Sequence, residues 1–346
     1  MSKKIIIFTF LMVFVFAATF AVSAELTIKL AHEEPGNAEV SSIHTAALVF
    51  KNIVETQSNG EMVVKIYPAS SMGEQRERME LTKANVIQIN IASIGGLAQF
   101  YPAISAIDLP FAIPNHTVAN EVFNGEFGDQ LRKDILEKTG FRFLTTSGGS
   151  FYVLSNNKRP IKSPEDMKGI KFRTMSVPSH ISMMRSLGAA ATPVAWSELY
   201  TSLQTGVVEG QHNPIPIMAI GGLQEVQDYA TLTNHLYGAD WWLTSQDFYE
   251  SLTDEQRKIF VNGYENAAVA GQGKKLMLEA TEYGVGFLEE AGVEVYSPTS
   301  EELKQFKELA VPAVLDSIEE ELGEEGVQLA NDLLDAVEKA EAKIYQ

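Results

Sequence analysis

The sequence predicts an α/β protein of two lobes with long C-terminal helices. Three observations predict it: strand-like and helix-patterned segments alternate from residue 26, the same cycle restarts near residue 141, and the pattern becomes helical and acidic after residue 253. Leu26–Ala31 reads as a strand and Ser42–Thr56 as a helix with apolar spacing, after which Asn59-Gly60 turns the chain into a strand over Met62–Tyr67. Gln88–Ala92 is a further short apolar strand. Strands separated by helices imply parallel sheets with helical crossovers. The second cycle has strands at Phe141–Thr146, Phe151–Ser155 and Ile170–Arg173, a helix around Ile181–Leu187, and a strand at Val207–Gln211. Helical patterning then covers Thr253 to about Ala291 and Ser300 to Ile344, with Thr253-Asp254-Glu255 and Thr299-Ser300-Glu301-Glu302 as N-terminal caps. The many glutamates there read as solvated helix faces.

Ahead of the first strand stand Lys3-Lys4, an apolar stretch from Ile5 to Ala21, and Val22-Ser23-Ala24. This charged, apolar and small-residue order is that of a secretory signal cleaved after Ala24. The expected mature chain is exported, and loss of two lysines takes its formal charge from −18 to −20. With 45 acidic against 27 basic side chains and no compact run of Lys and Arg, the composition argues against nucleic-acid binding. The absence of Cys excludes thiolate metal sites, iron–sulfur clusters, Cys nucleophiles and disulfides.

No catalytic constellation emerges. Ser147-Gly148-Gly149-Ser150 and Ile94-Gly95-Gly96 match neither a phosphate loop nor a dinucleotide fingerprint, so no cofactor is expected. The six histidines form no metal-binding helix motif, no metal site is expected, and no Gly-x-Ser-x-Gly elbow accompanies them. Carboxylates are abundant, but their spacing selects no acid–base pair.

The most specific stretch is Lys158-Arg159-Pro160-Ile161-Lys162-Ser163-Pro164-Glu165-Asp166-Met167-Lys168-Gly169-Ile170-Lys171-Phe172-Arg173. It is followed by Leu187-Gly188-Ala189, Pro193, Trp196-Ser197-Glu198-Leu199-Tyr200, Leu203 to Gln211 and Asn213-Pro214; upstream lie Tyr67-Pro68, Met72-Gly73, Tyr101-Pro102 and Leu109-Pro110-Phe111. In order and spacing these segments resemble the solute-binding subunits of tripartite ATP-independent periplasmic (TRAP) transporters, DctP type. The resemblance runs over essentially the whole mature chain. It implies a two-lobed periplasmic-binding-protein fold with a hinge and a ligand cleft between the lobes. The expected division is residues 25–149 plus 239–278 for the first lobe and 150–238 plus 279–346 for the second. It also implies a periplasmic receptor, not an enzyme, that closes on a small organic acid and delivers it to membrane subunits.

In such proteins the Arg of the Gly-Ile-Lys-Phe-Arg segment holds the ligand carboxylate, here Arg173. A guanidinium is permanently charged and offers two parallel donors, which suits a desolvated carboxylate. Without the motif, Arg173 would read as a strand-end arginine in a weak exposed ion pair. Asn213 matches the family Asn that contacts the same carboxylate, with turn chemistry ahead of Pro214 as its other reading. Trp196 matches an aromatic position bordering the ligand, or else is a core aromatic. Many acid-binding members carry a second Arg where this chain has Phe151-Tyr152-Val153, with Tyr152 the nearest counterpart. That departure removes a second positive clamp and points to a monocarboxylate, hydroxylated, aromatic or zwitterionic, rather than a dicarboxylate. Glu33, after the first strand, is a candidate acceptor for a hydroxyl or an ammonium, or a solvent-facing loop acid. Phe151 and Trp241 complete the expected binding set; of Trp241 and Trp242, adjacent on a strand, at most one can face the ligand. Two other functional classes stay open at this level: a secreted hydrolase or isomerase using carboxylates such as Glu33 and Glu198, and a ligand sensor for a receptor. A monomer is expected, because no broad apolar helix face stands out.

Overall fold

The computed structural model describes residues 25–345; the predicted signal segment lies outside them. Eleven strands form among the described residues: β1 (Leu26–Ala31), β2 (Met62–Tyr67), β3 (Ile89–Ala92), β4 (Phe141–Phe151), β5 (Val153–Asn156), β6 (Lys171–Thr174), β7 (Ala190–Pro193), β8 (Gly210–Asn213), β9 (Tyr229–Thr231), β10 (Tyr237–Ser245) and β11 (Glu294–Tyr296). They make a five-stranded sheet in the order β2-β1-β3-β10-β4 and a six-stranded sheet in the order β11-β9-β5-β8-β6-β7. The expectation of parallel sheets holds in part. β1, β2 and β3 are parallel, as are β6, β7 and β8, each linked by helical crossovers. β10 runs antiparallel to β3 and β4, and β5 antiparallel to β8 and β9, so both sheets are mixed. The cause is that the chain passes from one sheet to the other at Tyr152 and returns between β9 and β10: β10 re-enters the first sheet against β1–β4, and the later strands β6–β9 run against β5. The Tyr152 N–H donates to the Leu236 carbonyl at 2.9 Å, which ties these two crossing segments together.

Alternation along β10 sends its two tryptophans to opposite faces. Trp242 packs edge-on to Phe50 of helix 42–57, whose ring in turn meets Phe260 of helix 254–280. Trp241 packs on Phe143 and Phe123. The Ser41 side chain caps helix 42–57 by accepting from the His44 N–H at 2.9 Å. Thr253 and Gln256 form a reciprocal capping box at the start of helix 254–280, where the sequence places a cap. The predicted strand at Val207–Gln211 begins later, at Gly210, because Gly206 takes a left-handed turn (φ 74°) and Val207 is 58% exposed.

Helix 300–345 is kinked at Gly323 (φ 63°, ψ −157°). It packs against helix 178–186 on the side of the second sheet and against segments 102–108 and 116–124 on the side of the first. It therefore straps the two halves together. Among the described residues, no helix is long and apolar enough to cross a membrane.

Helices 42–57 and 254–280 approach closely at Gly263, where a Cβ would sit 2.8 Å from Val54 and 3.0 Å from Phe50. Gly263→Leu is expected to cost about 1–3 kcal/mol by overpacking, read as a lowered midpoint in chemical denaturation with an unchanged m-value.

Candidate functional site

A cavity of about 310 Å³ lies between the two sheets. The second sheet contributes Arg173 from β6, Pro193 and Val194 at the end of β7, Trp196 at the start of helix 196–204, and Asn213 from β8. The first contributes Glu33 and Glu34 beyond β1, Ser93 after β3, Gly148 of β4, Gly238 and Asp240 of β10, and Lys275 of helix 254–280. Tyr152 lines it at the crossing between sheets.

Arg173 is 4% exposed, and its Nε donates to the Val194 carbonyl at 2.9 Å. That bond fixes the plane of the guanidinium. Among the described residues, no protein acceptor lies within hydrogen-bonding distance of its two terminal nitrogens, and no carboxylate within ion-pair distance. Burial lowers its pKa to about 10, against the opposing pull of Tyr152 and Glu33. A desolvated cation with two free donors is a receptor for an anion.

Asn213 is 6% exposed and heads a buried polar chain. Its Nδ2 donates to Gln211 Oε1 at 2.5 Å, Gln211 Nε2 to Ser155 Oγ at 2.7 Å, and Ser155 Oγ to Gln227 Oε1 at 2.8 Å. One amide hydrogen is thereby engaged, and the other remains for a ligand. Tyr152 packs against the rings of His180, His212 and His235. Burial, reinforced by Asp108, Asp240 and Glu33, raises its phenol pKa, so the hydroxyl stays protonated as a donor. Gly238 is required here because a Cβ would run into the Tyr152 ring.

The wall from the first sheet is rich in ions. Glu33 accepts from Gln75 Nε2 at 2.5 Å and lies 3.5 Å from Arg78, which is fully buried. Glu34, 5% exposed, accepts from Ser41 Oγ at 2.6 Å through Oε2, while Lys275 Nζ lies 3.7 Å from its Oε1. Asp240 Oδ2 is buried with no hydrogen-bond partner, and Gly148, at φ 60°, leaves it room where a Cβ would collide. Burial raises the Asp240 pKa well above the carboxylate range, partly offset by Lys275 and reinforced by Glu34 and Glu33.

Behind Tyr152 lie three buried histidines. His212 Nδ1 lies 3.2 Å from His235 Nε2, His235 Nδ1 lies 2.6 Å from Thr233 Oγ1, and His180 Nε2 lies 2.7 Å from Asp108 Oδ2. Burial lowers His212 well below the usual imidazole range and His235 to about 3. His32, buried beside His44 and Arg78, is lowered to about 3 as well.

Of the seven expected binding residues, Arg173, Asn213, Trp196, Tyr152 and Glu33 line one cavity, while Phe151 and Trp241 do not. Phe151 precedes Tyr152, so alternation turns it away, onto His116 and Tyr237. Trp241, 2% exposed, is core, because helices cover both faces of the first sheet. Glu198 is exposed on helix 196–204 and does not join Glu33 in the cavity, so that candidate catalytic pair is not assembled. Lys275 and Asp240 were missed; Lys275 and Arg76 both line the cavity, so Arg173 is not the sole cation there. Lys275 lies in a helix of mixed charge, where a buried Lys has the same periodicity as its exposed neighbours. Asp240 carried a usable signal: an acid at a cleft-side position next to the two tryptophans.

The family model described as bacterial extracellular solute-binding protein, family 7 (DctP), matches residues 34–321. The chain belongs to that family. Its members are transport solute-binding proteins rather than enzymes, in agreement with the motifs from Lys158 to Pro214. The ectoine-binding periplasmic protein TeaA of Halomonas elongata is 30% identical over 322 residues, 92% of this chain and 90% of that one. The sugar-acid-binding protein DctPAm of Advenella mimigardefordensis, solved with galactonate, superposes with a TM-score of 0.83 at 26% identity, covering 91% of this chain and 99% of that one. A TRAP periplasmic solute-binding protein of Desulfovibrio salexigens, solved with orotic acid, gives a TM-score of 0.84 at 26% identity, covering 92% and 100%.

Removing the Trp241 ring should cost about 3–5 kcal/mol of stability. Trp241→Ala is expected to lower the thermal midpoint while leaving the affinity of the remaining folded protein within about twofold, measured by calorimetry, since the ring is core and not cavity wall. Neutral buried histidines make stability pH-dependent: their contribution is complete above the unfolded imidazole value of about 6.5 and is lost as pH falls toward their folded value of about 3. Asp240 opposes this with one proton against those of His32, His212 and His235. Thermal midpoints recorded from pH 7.5 to 5 should therefore fall with acidity, and His235→Gln should flatten that slope.

Proposed function

We propose that this chain is the periplasmic receptor of a TRAP transporter and binds a small organic acid through its carboxylate. In this reading the leader ending at Ala24 is cleaved on export, and the mature protein, as a monomer, hands its ligand to membrane subunits driven by an ion gradient. The observation that carries the reading is the Arg173 guanidinium, 4% exposed, oriented by Val194 and with both terminal nitrogens free at the cavity. A carboxylate accepts both donors side by side, Asn213 adds an uncharged donor, and Trp196 supplies an apolar face. A cavity of about 310 Å³ suits a molecule of small-acid size. The named ligands of the solved relatives, galactonate and orotic acid, each carry a carboxylic acid.

Binding in this scheme makes and breaks no covalent bond. The two halves hinge about the crossings at Tyr152 and between β9 and β10, and the ligand stabilises the closed form by bridging walls that otherwise remain hydrated. Closure excludes water and strengthens the ion pair. Carboxylate arrival also offsets the desolvation of Arg173 that burial imposes without it.

Truncating one partner of such a pair costs about 2–5 kcal/mol, or roughly 30- to 5,000-fold in Kd. Arg173→Ala is expected to weaken an acid identified by thermal-shift screening by that amount in titration calorimetry, and Arg173→Lys to recover only part, because an ammonium lacks the paired donors. An alanine variant with unchanged affinity would refute the assignment.

A further inference from the structure

The glycine pair of Ile94-Gly95-Gly96, which matches neither a phosphate loop nor a dinucleotide fingerprint, stands where the two halves of the molecule touch across the cavity. The segment follows β3 of the first sheet, and Ser93 and Gly95 line the cavity. Met175 faces them from the other half: it follows β6 of the second sheet and lines the same cavity two residues beyond Arg173. Ser93 Oγ lies 3.5 Å from Met175 Sδ. A Cβ on Gly95 would sit 3.3 Å from that sulfur and 3.5 Å from the Met175 Cβ.

Each glycine makes room for a different neighbour. At Gly96 a Cβ would stand 2.9 Å from Gln75 Oε1, and the same amide holds Ser93 by donating to its Oγ at 2.8 Å. At Gly95 the space is taken by Met175. Gly95 has no left-handed backbone conformation, so its missing side chain serves space and not a turn. The contact is also one that parts at little cost. Opening it strands no hydrogen-bonding group at either residue, because Ser93 keeps Gln75 and a thioether is at best a weak acceptor. A flexible Met on bare backbone needs no strict fit to seat again. Behind Tyr152 the halves are joined differently. There His180 of helix 178–186 meets Asp108 of segment 102–108 at 2.7 Å, both buried, and separation would leave each unpaired.

We infer that Gly95 and Met175 form the closing seam of the cleft, a contact present in the shut form and absent from the open one, while the Asp108 side stays joined. Met175 stands at the end of the strand that carries Arg173, so an anion held by Arg173 and Met175 seated on Gly95 favour the same closed state. The inference rests on the reading that the two halves hinge about the ligand.

The chain has no Cys of its own, so two introduced thiols are the sole thiols present. Disulfides form at Cβ separations of about 3.5–4.5 Å, a range that the 3.5 Å between Gly95 and Met175 meets. The protein carrying Gly95→Cys with Met175→Cys is expected to fall from two titratable thiols per chain to none on oxidation with glutathione disulfide, with no cross-linked dimer on a denaturing gel. X-ray scattering should give the oxidised form a smaller radius of gyration than the reduced form, and dithiothreitol should reverse the difference. If that variant does not fold, Ser93→Cys with Met175→Cys reads the same seam. Two free thiols remaining in folded, oxidised protein would overturn the seam. Complete cross-linking with equal radii in both forms would overturn it too, since that is the behaviour of a contact that never opens. A larger reduced form combined with unchanged affinity in Arg173→Ala would leave the seam standing and refute the carboxylate anchor; equal radii combined with lost affinity in Arg173→Ala would refute the seam and leave the anchor.

Discussion

A guanidinium enclosed by protein without a carboxylate beside it is the constraint around which the cleft is organised. Arg173 lies at 4% exposure with one donor committed to Val194. In water its charge is stabilised by solvent; inside the cleft burial lowers the residue's pKa to about 10. Its surroundings follow from that charge. His212 is kept neutral by burial, by His180 and His235 and by the field of Arg173, and the Tyr152 phenol keeps its proton. His212 and Tyr152 are thus held uncharged beside the guanidinium, while Glu33 acts on it only from ion-pairing with Arg78 across the cavity.

The opposite wall is arranged differently. There the ions are mutually compensated, Glu33 with Arg78 and Glu34 with Lys275, and Asp240 is pushed toward its neutral form by burial, with Glu34 and Glu33 adding to it and Lys275 opposing it. One side of the cavity therefore presents net charge and the other a field of donors and acceptors close to neutrality. That asymmetry gives a ligand a preferred orientation before any shape complementarity is considered.

Local signals made much of this legible in the sequence. The strands at Leu26–Ala31 and Met62–Tyr67 and the Thr253 cap follow from apolar alternation and capping chemistry, which act over a few residues. Antiparallel insertion of β10 between β3 and β4 was not legible, because strand direction is decided by where a chain re-enters a sheet, here about 90 residues after leaving it. The site divides the same way. Arg173 and Asn213 stood out through motifs contiguous in the chain. Lys275 did not, since its burial comes from helix 254–280 packing on β4, and nothing in its own neighbours distinguishes it from exposed lysines. Phe151 is turned away because alternation lets only every second side chain of a strand look toward the cleft, whereas Trp241 and Trp242 are both buried on the two faces of β10, so neither lines it.

The position of β10 also bears on how the molecule assembles. The middle of the first sheet stays vacant until residues 237–245 arrive, and segments 102–124 acquire their cover only from the final helix, about 200 residues later. Such long sequence separations raise the contact order and slow the search for the native state. A polypeptide with this wiring cannot complete its first sheet from its N-terminal half alone, since β3 and β4 are joined only through β10.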